Sequence, residues 1–161
     1  MTIPYRGQTS HSTYFVSASC FEKKSLLQSD RSAQLFVDVL YHYRAQNKYQ
    51  IHEFVIMPDH FHLLITPESV SLERTMQLIK AGFSFRMKKE LGVTSEIWQT
   101  TFHDRRVRDT AEYQRFRRYI HENPVKRGLV ISPAEYPYGS SCGKYELDDV
   151  PQRLKPTASR S

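Results

Sequence analysis

The stretch Met57-Pro58-Asp59-His60-Phe61-His62-Leu63-Leu64-Ile65-Thr66 carries two histidines one residue apart inside an apolar run. On a β-strand successive side chains point to opposite faces, so His60 and His62 share a face and Phe61 anchors the other. Two imidazoles about 7 Å apart along one strand can converge on a divalent metal. They can equally be a pair of hydrogen-bonded, inert histidines at a strand end. A second group follows in Tyr119-Ile120-His121-Glu122-Asn123, which reads as helix. At about 100° per residue, Tyr119 and Asn123 lie about 40° apart, one turn above each other. A phenol and a carboxamide then point the same way, whereas His121 falls nearly opposite and makes a poor ligand. Two strand histidines and an amide oxygen form a set of N/O ligands suited to Mg²⁺ or Mn²⁺, with positions open for phosphate oxygens. A phenol within reach of such a metal can attack phosphorus and form a phosphotyrosine. Taken singly, Tyr119 is equally a boundary tyrosine and Asn123 an ordinary helix C-terminal residue.

The composition points to the kind of substrate. The chain has 161 residues, 39% hydrophobic and 12% aromatic, and a formal net charge of +6. It is long enough for a single substantial core and too apolar for a disordered chain. Between Lys80 and Arg127 stand twelve Lys/Arg against six acids, so this segment alone carries the whole excess. A basic segment beside a candidate metal site favours nucleic-acid phosphate as the partner. Cys20 and Cys142 lack metal-ligand spacing and read as free thiols of a reducing compartment. With neither a signal peptide nor an apolar run near the roughly 20 residues of a membrane span, the expected location is the cytoplasm.

The elements that must position these groups follow from local patterns. Thr13 to Phe21 is β-branched and aromatic and reads as a first strand. Ser29 or Asp30 caps a helix to about Asn47, with Leu35, Phe36, Val39, Leu40 and Tyr43 on its apolar side. Tyr49 to Met57 is a second strand, Pro58-Asp59 a tight turn, and His60 to Thr66 a third strand hairpinned to the second. Asp59 is read as completing the turn rather than orienting an imidazole. Ser71 opens a second helix with the stripe Met76, Ile79, Phe83 and Met87, and Gly92 closes it. Trp98 to Arg108 reads as a fourth strand. Asp109 or Thr110 caps a third helix, expected to end near Asn123 because the residue before Pro124 is disfavoured in the α region.

The order βαββαβ plus one more helix predicts an α+β fold: a ferredoxin-like four-stranded antiparallel sheet, with an extra C-terminal helix carrying the tyrosine. The expected organisation is a flexible arm over 1–12, one domain over 13–145 and a disordered tail over 146–161.

Several of these motifs together resemble a known family. His60-Phe61-His62 is similar to the His-hydrophobic-His motif of the HUH endonucleases. Trp98-Gln99, Phe102-His103-Asp104 and the run from Tyr119-Ile120-His121-Glu122-Asn123-Pro124-Val125 to Val130 resemble the REP-associated tyrosine transposases, relatives of the small insertion-sequence transposases. The likeness covers about Tyr14 to Tyr138. It implies a metal-dependent single-stranded DNA endonuclease and strand transferase acting at hairpin DNA. The metal would sit on His60, His62 and Asn123, and Tyr119 would be the nucleophile, leaving a 5′-phosphotyrosine and a free 3′-OH. Arg105, Arg106, Arg108, Arg117, Arg118, Lys126 and Arg127 would hold the DNA backbone, and the chain would act as a monomer or homodimer. Tyr136 or Tyr138 could stack unpaired bases or simply pack. The sequence identifies no base for Tyr119; His103 is a candidate. Three other functions compete: a non-catalytic ferredoxin-like nucleic-acid-binding module, a replication-initiator or relaxase-type HUH nickase, and a metal hydrolase that uses water.

Overall fold

The computed structural model describes residues 11–157. Most of the expected N-terminal arm, residues 1–10, therefore lies outside the described residues. Four strands, β1 (Tyr14–Ser19), β2 (Tyr49–Met57), β3 (His60–Pro67) and β4 (His103–Arg106), form one sheet in the order β2-β3-β1-β4. Each neighbouring pair is antiparallel, giving the ferredoxin-like α+β fold.

Two helices, α1 (Asp30–Ala45) and α2 (Leu72–Leu91), cover one face, and α3 (Thr110–Lys126) covers the other. Phe61, Leu63 and Ile65 face α1 and α2 in the larger core, with Phe36, Leu40, Met76, Ile79 and Phe83. The opposite side chains of β2 and β3, among them Val55, Met57 and Leu64, meet Tyr113 and Ile120 of α3.

Local chemistry starts and stops the helices as their sequences require. The Ser29, Ser71 and Asp109 side chains each accept a backbone N–H of the first turn, and Gly92 ends α2 with φ 66. α3 runs past the expected stop, taking in Pro124 and reaching Lys126. Proline there removes only one hydrogen bond of the last turn, and the end is still held by Arg127 N–H on the Asn123 carbonyl at 3.0 Å.

Two strand features depart from the alternating pattern. β2 has a bulge between Ile51 and Glu53 that places both His52 and Glu53 on the α3 side, where His52 lies beside Tyr113. β4 spans only His103–Arg106, much less than the expected 98–108. Trp98 instead forms an isolated bridge with Cys20 and buries its ring in the larger core, its Nε1–H donating to the Lys80 carbonyl at 3.0 Å.

The segment after α3 is ordered by contacts with β2. Ile56 N–H donates to the Tyr138 carbonyl at 2.8 Å, and Asp148 N–H to the Ile51 carbonyl at 2.7 Å. The Asp148 carboxylate accepts from Ile51 N–H at 2.8 Å and from Arg44 Nε and Nη2, both at 2.9 Å. Leu154 is fully buried against the α3 side. The disordered tail expected from 146 is thus corrected for residues 146–157, which cover an otherwise open sheet edge.

Arg44 and the Ile51 N–H hold the Asp148 carboxyl below the usual carboxylate range despite the opposing effect of burial. A carboxyl depressed by folding stabilises above its unfolded pKa and loses that contribution as pH falls through the folded one. Asp148→Ala should cost about 2–3 kcal/mol at pH 7, the scale of hydrogen bonds to a charged group. In denaturant titrations the gap to wild type should close as the pH falls below about 4. A gap that stays constant down to pH 2 would mean the carboxylate is not the anchor.

Candidate active site

Cross-strand register assembles the site on the α3 side of the sheet. Ser17 of β1 sits opposite both His62 of β3 and His103 of β4, so all three share one face in a single row. His60, opposite Ser19 and Met57, lies in the adjoining row. The rings of His60 and His62 are 4.9 Å apart between centroids, and Tyr119 meets His62 edge-on at 5.2 Å. An open cleft of about 610 Å³ is lined by His60, His62, His103, Tyr119, Lys23 and Arg127, with Ser17 and the backbone stretch 99–101.

Each histidine is oriented from behind. His60 Nδ1 is 2.6 Å from the Asp59 carboxylate, which can only accept, so Nδ1 carries the proton and Nε2 keeps its lone pair. Asp59 therefore orients the ring as well as completing the turn, against the sequence expectation. His62 Nδ1 is 2.5 Å from Ser17 Oγ, and its Nε2 is buried with no hydrogen-bond partner among the described residues. Burial, with the charges of His60, Arg127 and Lys23 adding to it, pushes the His62 pKa down to about 3. Burial also lowers that of His60, partly offset by Asp59. Both imidazoles are consequently neutral near pH 7, the form a metal requires.

α3 carries the other groups. Tyr119 is exposed, while Asn123, one turn further along, is buried, its Oδ1 without a hydrogen-bond partner among the described residues. Phe15 of β1 stacks between His62 and Phe116, at 5.4 and 4.4 Å between centroids, and meets Tyr119 edge-on at 5.8 Å. The rotation of α3 is set by its other side. Buried Glu53 accepts from Arg117 Nε at 3.0 Å and Ser140 Oγ at 2.6 Å, and its Oε1 lies 2.6 Å from His121 Nε2. His121 is thus turned away from the cleft, as its helix position implied.

A buried acceptor without a partner is costly unless something fills its place. Asn123 Oδ1 is of this kind, and so is His62 Nε2 in the tautomer whose Nδ1–H donates to Ser17 Oγ; their chemistry with His60 Nε2 fits a divalent cation. Among the described residues no group of three His, Cys, Asp or Glu could hold a metal, and the Asn123 amide is a further oxygen donor beside the two histidines in this set.

The basic residues are dispersed. Arg127 lies in the cleft, 3.9 Å from Asp59, and Arg105, paired opposite Phe15, is on the same sheet face. Arg106, opposite Tyr14, points to the other face. Arg108 pairs with Glu112, and Arg117 turns to Glu53 in a separate groove. Arg118 and Lys126 are exposed on α3 without an ion pair among the described residues. The Tyr136 hydroxyl donates to the Ile56 carbonyl and that of Tyr138 to Asp30, which identifies both as packing residues.

Ser17, Lys23, Glu53 and Ser140 were not legible in the sequence, because each joins the site through a pairing distant along the chain. Asp59, directly before the histidines, was the one visible signal. The α3 helix also covers the sheet face on which a ferredoxin-like binding module would stack bases.

A ferredoxin-like sheet with an oriented His-x-His pair and a tyrosine-bearing helix over it is the arrangement the resemblance implied. The family described as Transposase IS200 like matches residues 8–123, and the chain belongs to it. A REP-associated tyrosine transposase of Escherichia coli strain K12 is 25% identical over 143 residues, covering 84% of this chain and 83% of the relative. A Haemophilus influenzae protein provisionally given the same designation is 28% identical over 134 residues, covering 72% and 76%. A solved structure of a REP-associated tyrosine transposase bound to a REP hairpin shares the fold, with a TM-score of 0.69 at 23% identity over 100% of this chain and 98% of that one. No helix among the described residues is long and apolar enough to cross a membrane.

Proposed function

We propose that this transposase cuts and rejoins single-stranded DNA beside a hairpin, with Tyr119 as nucleophile and Mg²⁺ or Mn²⁺ held by His60, His62 and Asn123. The observation that carries the reading is a pair of buried polar atoms with no hydrogen-bond partner among the described residues, His62 Nε2 against the exposed Tyr119 ring and Asn123 Oδ1 one helical turn from it. The hairpin-bound relative supports hairpin DNA as the substrate class.

When bound, a divalent ion would offset negative charge developing on the phosphoryl oxygens. Tyr119 Oη forms a bond to phosphorus while the bond from phosphorus to the 3′-oxygen breaks. The phenol loses its proton and the departing 3′-oxygen gains one. His103 lines the cleft and has the chemistry to accept the phenol proton. The 5′-phosphate stays on Tyr119, and a free 3′-OH from another end can reverse the step without an external energy source. Arg127 and Arg105, with Arg118 and Lys126 on α3, are the cations placed to hold the strand. Arg106, Arg108 and Arg117 would contribute to the general field around it.

The test uses a hairpin flanked by single-stranded DNA, labelled at its 3′ end so that the covalently held fragment is visible. With Mn²⁺, wild-type protein should give a denaturant-resistant adduct that EDTA abolishes. His62→Ala should lose both the adduct and the rise in melting temperature produced by Mn²⁺. Equal cleavage in EDTA would overturn the metal assignment, and cleavage without any adduct would overturn the tyrosine.

A further inference from the structure

One cation in the cleft comes from neither α3 nor the sheet. Lys23 lies in the short 3-10 turn Phe21–Lys23, after β1. Two adjacent non-glycine residues there adopt left-handed backbone, Glu22 at φ 53, ψ 28 and Lys23 at φ 59. That conformation crowds Cβ against the following carbonyl oxygen, and glycine would adopt it freely. The turn is held in place from all sides. Cys20 N–H donates to the Asp59 carbonyl at 2.9 Å, Phe21 N–H to Ile97 at 2.8 Å and Lys23 N–H to Cys20 at 3.0 Å. Leu27 N–H, further on, donates to the Pro58 carbonyl at 2.9 Å. The turn is therefore pinned to the tip of the same β2–β3 hairpin that presents His60. Backbone strain retained by a rigid surrounding is a mark of a functional position.

The charges around the ammonium indicate what it meets. Lys23 and Arg127 both line the cleft, together with His60, His62 and Tyr119. Asp59 is the acid nearby, and its carboxylate is already engaged by His60. Lys24, next in sequence, turns its ammonium toward the Phe21 ring at 5.7 Å, so the two lysines are not equivalent. A lysine that lines the same cleft as a phenol and two imidazoles is suited to an anion that enters with the substrate.

We propose that Lys23 is a substrate-binding residue that contacts a non-bridging oxygen of the DNA phosphate attacked by Tyr119, and that the left-handed turn exists to aim it there. The inference rests on the proposed role of Tyr119. Lys23 and Arg127 would then hold the same phosphate from two separate elements, one before α1 and one at the end of α3.

Four variants of the full-length chain, Lys23→Gln, Lys23→Arg, Lys23→Gly and Lys24→Gln, test this against single-stranded hairpin DNA. Lys23→Gln should slow adduct formation roughly 100-fold, the scale of losing one preorganised contact to transition-state charge. It should also make the salt dependence of DNA binding shallower by about 0.7 in log–log slope, the value for one phosphate contact on a single strand. Lys23→Arg should recover most of the rate, and Lys24→Gln should match wild type in both measurements. Lys23→Gly should raise the melting temperature by about 2–4 °C through relief of strain while losing the same rate as Lys23→Gln. A purely structural lysine would not separate stability from activity in this way. Wild-type rate and slope in Lys23→Gln, or a lower melting temperature in Lys23→Gly, would overturn the proposal. Failure of the wild-type protein to form any adduct would instead overturn the role of Tyr119, leaving the salt slope to decide whether Lys23 contacts phosphate.

Discussion

Tyr119→Phe protein should bind hairpin DNA normally, form no denaturant-resistant adduct, and cleave at least about 10³-fold more slowly than wild type. The substitution removes one oxygen from a ring that is 44% exposed and touches His62 and Phe15 through its edges. The ring contacts survive in phenylalanine, so the stability should change by no more than an ordinary surface substitution does, about 0.5 kcal/mol. The chemistry does not survive, because phenylalanine has no group to bond phosphorus. A gel under denaturing conditions with 3′-labelled DNA reads the result directly. Undiminished cleavage by Tyr119→Phe would assign the attack to water and return the protein to metal-assisted hydrolysis.

Phe61→Ala should have the largest effect on stability, about 3–5 kcal/mol, the usual range for removing a fully buried phenylalanine. Phe61 has no exposed surface and meets Phe36 at 4.6 Å and Trp98 at 5.5 Å between ring centroids. It lies between the two site histidines on β3, with its side chain on the opposite face. Loss of the ring would leave a cavity beneath the strand and loosen the spacing of His60 and His62. Phe85→Ala, which removes a ring that is 63% exposed on α2, should change stability by less than about 1 kcal/mol. Guanidinium unfolding of the two variants makes the comparison. Similar losses in both would mean that β3 is not anchored by the larger core.

What could be read from the sequence was whatever depended on neighbours within a few residues. The caps Ser29, Ser71 and Asp109, the stop at Gly92, the Pro58-Asp59 turn and the parity of His60 and His62 are all of this kind. The matching orientation of Tyr119 and Asn123 is set by helix periodicity alone. Features that depend on distant partners were hidden. Ser17 reaches His62 only through the register of β1 on β3, and Glu53 turns toward α3 only because of a bulge that alternation does not reveal. Asp148 looked like part of an acidic tail because its partner Arg44 is 104 residues away. The fourth strand was overestimated because Trp98 is aromatic for the sake of the core, not the sheet. Arg117 looked like a free basic residue until the structure placed a buried carboxylate beside it.

Tyr119 and Asn123 share one helix, one turn apart, and Glu53 clasps that helix through Arg117 and His121, also one turn apart. In the proposed reaction, Tyr119 would therefore carry Asn123 with it whenever the helix moves. Any movement of the helix that transports the covalently held strand must withdraw the amide ligand in the same motion and unfasten the Glu53 clasp. Under the proposed function, strand exchange and the emptying of the ion site would then be one event, and cutting and carrying would alternate.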